Sequence, residues 1–216
     1  MYDLMKLAII NYGSGNLHSV NKSFEAANQN LQEPYDIQVT NDPEVVKNAD
    51  KIVLPGVGAF ADCKKSIFDI QGMYDSLEES VLSKKIPFMG ICVGMQLLAE
   101  KAEEFGTHAG FGWIPGSVVR ITETKGYKIP HMGWNEVDFQ DNPLFLGLEQ
   151  KTNFYFVHSY YFKTTNSEDT AATTNYPNVI TAAVKRENIF GTQFHPEKSH
   201  DSGQVILTNF LKWNNK

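Results

Sequence analysis

Two short stretches carry residue types that could do covalent chemistry. The first is Ile86–Glu100, IPFMGICVGMQLLAE, in which Cys92 sits between Gly90 and Gly94. The apolar run before the glycines predicts a buried strand, and the strong helix formers after them predict a helix. Between them G-x-C-x-G has the form of a nucleophile elbow with cysteine in place of serine. A side chain on so sharp a turn is forced outward, and only glycines can lie close on both sides of it. The N-terminal N–H groups of a following helix would favour thiolate over thiol. A small buried thiol beside a tight turn fits the same residues, so the elbow alone does not decide.

The second stretch is Gly191-Thr192-Gln193-Phe194-His195-Pro196-Glu197. A cysteine nucleophile needs a base, and the base needs a group to orient it. Of the six histidines (His18, His108, His131, His158, His195 and His200) only His195 follows an apolar strand and precedes a proline. It should therefore emerge at the same sheet edge as the elbow, held extended by Pro196. Residues two apart in an extended segment point to one side, which would set Glu197 beside the His195 ring. There a carboxylate would fix the tautomer and stabilise an imidazolium. Acyl transfer also needs oxyanion donors. The Val93 N–H just after the cysteine is one candidate, and the Gly56-Val57-Gly58 backbone offers others. No C-x-x-C or H-x-x-x-H spacing supports a metal, and no metal or other cofactor is expected.

Length and composition set the frame for these groups. A chain of 216 residues is expected to form one domain, residues 1–216, and to bury well over half of its unfolded surface. Hydrophobic content of 42% and charged content of 20% are those of an ordinary globular protein. The net charge of -6 argues against nucleic acid or an anionic membrane as partner. No apolar run approaches the roughly 18–20 residues of a spanning helix. Met1-Tyr2-Asp3-Leu4-Met5-Lys6 leads into an apolar stretch too short for a signal-peptide core. Two cysteines, Cys63 and Cys92, make no disulfide framework, and a cytoplasmic location is expected.

The elements that must position the site follow from periodicity. Lys6–Asn11 reads as a buried strand, Asp36–Thr40 as a second short strand and Lys51–Leu54 as a third, separated by helical patterns at Leu17, Val20, Phe24 and Ala27 and at the Asn41-Asp42-Pro43 cap. Two glycine loops follow strands: Tyr12–Asn16, which lacks the phosphate-binding fingerprints and reads as a turn, and Pro55–Phe60, at the edge where open α/β sheets bind ligands. Helices are predicted over Ala61–Ile70 and Met73–Ser83. Phe105–Gly112 reads as a glycine-rich surface loop. From Val118 onward the runs Val118–Thr122, Asn135–Phe139, Asn153–Tyr161, Asp169–Thr174, Val179–Lys185 and Asn188–Phe194 read as strands with hairpin-type links. An amphipathic helix, Gly203–Trp213, closes the chain. The fold class is α/β, parallel in the first half, with antiparallel additions in the second joining the same sheet.

Taken in order, Pro55-Gly56-Val57-Gly58, Gly90-Ile91-Cys92-Val93-Gly94-Met95-Gln96 and His195-Pro196-Glu197 resemble the motifs of the triad (class I) glutamine amidotransferases. Pro130-His131-Met132-Gly133-Trp134-Asn135 and Tyr155-Phe156-Val157-His158-Ser159-Tyr160 narrow the resemblance to glutaminase subunits of imidazole glycerol phosphate synthases. Asn11–Asn16 and the His195–Ser199 run HPEKS agree with it, and the likeness covers nearly the whole chain. It implies a flavodoxin-like mixed sheet with helices on both faces. It further implies Cys92 as nucleophile, His195 as general base and acid, Glu197 as orienter, and Val57, Gly58 and Val93 around the oxyanion. Gln96 would hold the glutamine substrate, helped by Gly56, Glu104, His158, Ser159 and Tyr160. The implied partner is a (β/α)₈-barrel cyclase that receives the ammonia, with His131, Met132, Gly133 and Trp134 at the docking face. In such subunits glutaminase activity is low without the liganded partner, because the oxyanion loop is not yet competent. A paralogous glutaminase serving another barrel synthase, as in surface-polysaccharide amidation, is the alternative the same motifs allow.

Overall fold

The structure, a computed structural model, describes residues 4–29 and 31–214; Met1–Asp3 of the amino-terminal stretch lie outside the described residues. The first half alternates strands and helices: β1 (Lys6–Ile10), α1 (Leu17–Asn28), β2 (Asp36–Thr40), α2 (Pro43–Lys47), β3 (Lys51–Gly56), α3 (Phe60–Asp69) and α4 (Met73–Glu78). A π-helical turn, Glu79–Ser83, extends α4 as the Met73–Ser83 pattern predicts. Then come β4 (Phe88–Cys92) and α5 (Val93–Gln96). The second half adds β5 (Lys101–Ala102), β6 (His108–Ala109), β7 (Gly116–Arg120), β8 (His131–Phe139), β9 (Thr152–His158), β10 (Tyr160–Thr164), β11 (Thr170–Asn175), β12 (Val179–Arg186), β13 (Ile189–Thr192) and α6 (His200–Lys212).

Among the described residues the strands form a nine-stranded sheet ordered β2-β1-β3-β4-β13-β12-β11-β8-β9. β1, β2, β3, β4 and β13 run parallel, and β12, β11, β8 and β9 add antiparallel. Every residue of β3 and β4 is buried, which is why these strands read as continuous apolar runs rather than alternations. The connection from β1 to β2 and that from β2 to β3 run in opposite directions along the sheet. With right-handed crossovers this puts α1 on one face and α2 on the other. The packing agrees: α1 lies against α6, whereas α2 lies against α4.

Two features depart from expectation. β7 and β10 leave the main sheet and pair with β5 and β6 in a separate four-stranded sheet. The run Asn153–Tyr161, expected as one strand, breaks at Ser159 into β9 and β10, one in each sheet. The His158 ring bonds the Tyr160 carbonyl (2.8 Å) across the break, and Ser159 gives its own carbonyl to Ile121 N (2.9 Å). No helix among the described residues is long and apolar enough to cross a membrane.

Candidate active site

Three adjacent parallel strands, β3, β4 and β13, deliver the three motifs to one edge. Their register pairs Gly56 with Cys92 on one side of β4 and Gly191 with Gly90 on the other. Adjacent strands lie about 4.8 Å apart, so residues 36 apart (Gly56 and Cys92) and 101 apart (Gly90 and Gly191) in sequence become cross-strand neighbours. Cys92 takes φ 53, ψ −111, a left-handed conformation for a residue with a side chain, which stores roughly 1–3 kcal/mol of strain. The flanking glycines make the turn possible through space. A Cβ on Gly94 would lie 1.8 Å from the Leu54 carbonyl oxygen, and one on Gly90 would lie 2.6 Å from that of Gly94.

The helix after the elbow is shorter than the run Met95–Glu100 predicts. α5 ends at Gln96. The carbonyls of Leu97, Leu98 and Ala99 accept instead from the N–H groups of Phe111 (2.7 Å), Ile114 (3.0 Å) and Gly112 (3.0 Å). The Phe105–Gly112 stretch, expected only as a surface loop, carries β6 and so helps to end the helix. A single turn gives the sulfur a much weaker dipole than a full helix would.

His195 leaves β13 in an extended conformation, φ −100, ψ 98. Its Nδ1–H donates to Glu197 Oε1 at 2.8 Å, with both side chains only 2% exposed. Glu197 reaches the ring through a tight 3-10 turn, Pro196–Lys198, rather than along an extended segment. Ser199 braces this turn: its hydroxyl donates to the His195 carbonyl (2.7 Å) and accepts from Tyr155 N–H (3.0 Å). With Nδ1 occupied, Nε2 is the nitrogen left for proton transfer, and it is buried without a hydrogen-bond partner among the described residues, as is Glu197 Oε2. Burial alone would lower the imidazole's affinity for a proton. The charge of ionised Cys92 and interaction with its sulfur, reinforced by Glu197, overcome this and raise the His195 pKa above its ordinary value.

A cavity of about 390 Å³ opens over the sulfur. It is lined by Val57, Gly58, Cys92, Val93, Gln96 and His195, and on its far wall by Glu104, His158, Ser159 and Tyr160. Phe105, Arg120, Pro130 and Val157, which were not expected, complete it. Gly56 and Glu197 are not on the wall: Gly56 packs against the Tyr12 hydroxyl and the Gly94 backbone, and Glu197 stands behind His195. Glu104 has a second engagement, accepting the Phe60 N–H (2.7 Å) at the start of α3, which has no side-chain cap of its own. Val57 N–H is directed to the Ser14 hydroxyl (3.4 Å), and its carbonyl accepts from Ser14 Oγ and Cys63 Sγ (3.3 Å). Ser14 escaped the sequence reading because the Tyr12–Asn16 loop reads as a bare turn.

At the other end of the far wall, His131 and His158 are cross-strand partners in β8 and β9. His131 Nδ1 lies 3.0 Å from His158 Nε2, and Asn135 Nδ2 lies 3.2 Å from His131 Nε2. Burial pushes both rings well below the ordinary imidazole pKa, His131 to about 4 and His158 to about 3, so both are neutral. His131, grouped by sequence with a docking face, is buried and stacked between Phe156 (4.7 Å) and Tyr176 (3.9 Å). Met132 and Trp134 alternate outward from the same strand and are 63% and 47% exposed.

Residues 8–213 match the sequence model of the class I glutamine amidotransferases, so the chain belongs to that family. Solved structures share its fold: a putative GMP synthase component from Thermoplasma acidophilum (22% identity, TM-score 0.69, 98% of this chain and 94% of that one) and another glutamine amidotransferase (14% identity, TM-score 0.70, 95% and 97%). More similar in sequence are proteins named imidazole glycerol phosphate synthase subunit HisH. Those of Rhodospirillum rubrum and Rhodopseudomonas palustris are each 48% identical over 97% of this chain and 99% of their own length. Within the class, the chain is a member of the HisH family.

Proposed function

We propose that this chain hydrolyses glutamine through Cys92, His195 and Glu197 and passes the ammonia to a (β/α)₈-barrel cyclase in histidine biosynthesis. The observation that carries this reading is the meeting in one cavity of a strained cysteine with a buried histidine backed by Glu197, in a chain nearly half identical to HisH subunits. Cys92 would attack the side-chain carboxamide carbon while His195 Nε2 holds the thiol proton. Protonation by His195 then releases ammonia and leaves a γ-glutamyl thioester. Water, deprotonated by the same nitrogen, resolves the thioester to glutamate and returns the thiol. Glu197 keeps Nε2 aimed at the sulfur by binding Nδ1–H.

The oxyanion needs donors near Cys92. Val93 N–H, next after the cysteine, would be one, while Val57 N–H would have to exchange its bond to Ser14 for one to the ligand. Activity of the isolated chain is accordingly expected to be low. The barrel partner, docking over Met132 and Trp134, would combine the ammonia with a phosphoribulosyl-formimino aminoimidazole carboxamide ribotide. The products are imidazole glycerol phosphate and the aminoimidazole carboxamide ribotide. The test is the glutaminase rate of the chain alone, with the purified cyclase, and with the cyclase plus its nucleotide ligand. A rise of roughly 10²-fold or more in the last case, the worth of one oxyanion donor, is expected. Full turnover by the isolated chain, unchanged by the partner, would overturn the coupling.

A further inference from the structure

Gln193 lies two residues before His195, and like His195 it turns toward Cys92 from the end of β13; it is wholly buried. Its amide belongs to a hydrogen-bond chain whose directions can be read from one end. The Tyr160 carbonyl can only accept, and it is met by His158 Nδ1 (2.8 Å) and by Gln96 Nε2 (3.0 Å). Both are therefore N–H donors. With the Gln96 nitrogen fixed in this way, the Gln193 atom 3.0 Å from it must be an acceptor, Oε1. The other limb of the Gln193 amide is then NH₂, and it points at the sulfur, with Nε2 3.7 Å from Cys92 Sγ.

We propose that Gln193 is a built-in hydrogen-bond donor to the Cys92 sulfur, a catalytic residue beside His195 that holds the sulfur's charge and rotamer while His195 Nε2 carries the proton. This deepens the reading of Cys92 as nucleophile and rests on it. A bond from N–H to a thiolate is stronger than one to a thiol, so the contact favours the ionised form. Its aim does not depend on the long side chain's own preferences. Gln96 sets it, and the Tyr160 carbonyl and neutral His158 set Gln96 in turn.

The test is the alkylation rate of Cys92 by iodoacetamide against pH, followed by mass spectrometry on the full chain. Gln193→Met keeps the length and removes the donor; Gln193→Glu keeps the shape and opposes the sulfur with a carboxylate. The other titratable groups about the sulfur are His195 with Glu197, Tyr12 and Cys63 toward β1 and α3, and Glu104, Arg120 and His158 across the cavity, and all stay in place. Gln193→Met should move the alkylation midpoint up by about one unit, the loss of one hydrogen bond to a charged group. Gln193→Glu should move it further. In the chain–cyclase complex, kcat should fall about tenfold for Gln193→Met, that one unit carried into turnover, with KM little changed. A side chain that only fills space would alter the melting temperature and leave the midpoint alone. A folded Gln193→Met with the wild-type midpoint overturns the proposal; if that variant does not fold, Gln193→Asn, which withdraws the donor by one methylene, is read the same way. Failure of the wild-type chain to alkylate at Cys92 at any pH overturns the nucleophile reading instead.

Discussion

Acid should unfold this protein through its buried histidine pair, and the size of the effect follows from the geometry. His131 and His158 are both neutral in the folded state because burial holds them near 4 and 3, well below the ordinary value of 6.5. Between those values the unfolded chain binds two protons that the folded chain refuses. Stability therefore rises with pH across this window and is lost as pH falls. Each group contributes about 1.4 kcal/mol per pH unit, and the pair about 2.7. From about pH 6.5, where the unfolded rings are half protonated, to about pH 5 the loss is about 3 kcal/mol, a large part of the roughly 5–15 kcal/mol that holds a typical domain folded. The slope depends only on both rings staying neutral at about pH 5, not on how far below it they titrate. His195 is shifted the other way and adds no slope below its ordinary value, since both states are then protonated. Urea unfolding at constant temperature across the window measures the slope directly. His131→Phe, which can keep the stacking between Phe156 and Tyr176, should reduce the slope by half or more. A flat profile, or a His131→Phe slope equal to wild type, would refute the neutral-pair reasoning.

Three other substitutions probe separate links. Glu197→Gln removes the charge behind His195 while keeping an acceptor for Nδ1–H, and kcat should drop by roughly 10²-fold or more with KM little changed, read by steady-state glutaminase assay. Gly94→Ala forces a methyl against the Leu54 carbonyl, so thermal melts should show destabilisation of several kcal/mol and activity lost with it; a variant as stable as wild type would show that the elbow does not need its glycine. Trp134→Ala should weaken binding of the cyclase by roughly 2–4 kcal/mol in a titration while leaving the melting temperature nearly unchanged, because the ring is 47% exposed.

The central parallel strands were legible because strands buried on both faces carry apolar runs, as in β1 and β3, while β2, an edge strand of the sequence DIQVT that is mostly half-buried, was legible from its alternation. The end of α5 was not legible. Leu97–Ala99 are good helix formers, and what stops them is the backbone of Phe111–Ile114 claiming their carbonyls, a long-range contact no local propensity encodes. The break at Ser159 has no glycine or proline to announce it; the His158 ring bonds the Tyr160 carbonyl across it. Strands of two residues, such as β5 and β6, leave too little pattern to read, so the second sheet went unseen. At the site, Cys92, His195 and Glu197 stood out by type and spacing as candidates for nucleophile, base and orienter. Gln193 did not, although residues two apart in an extended strand point to one side, and Gln193 and His195 are so spaced at the end of β13. That spacing would have found a second side chain aimed at the sulfur.

The central claim is that one of two buried thiols is set apart by its turn, its histidine and its cavity. Mass spectrometry after incubation with a glutamine-like electrophile, with cyclase and its ligand present, tests this most directly. The expected result is a single adduct on Cys92, suppressed by excess glutamine, with Cys63 unmodified. Equal labelling of Cys63 and Cys92, or glutaminase activity surviving in Cys92→Ser, would contradict it.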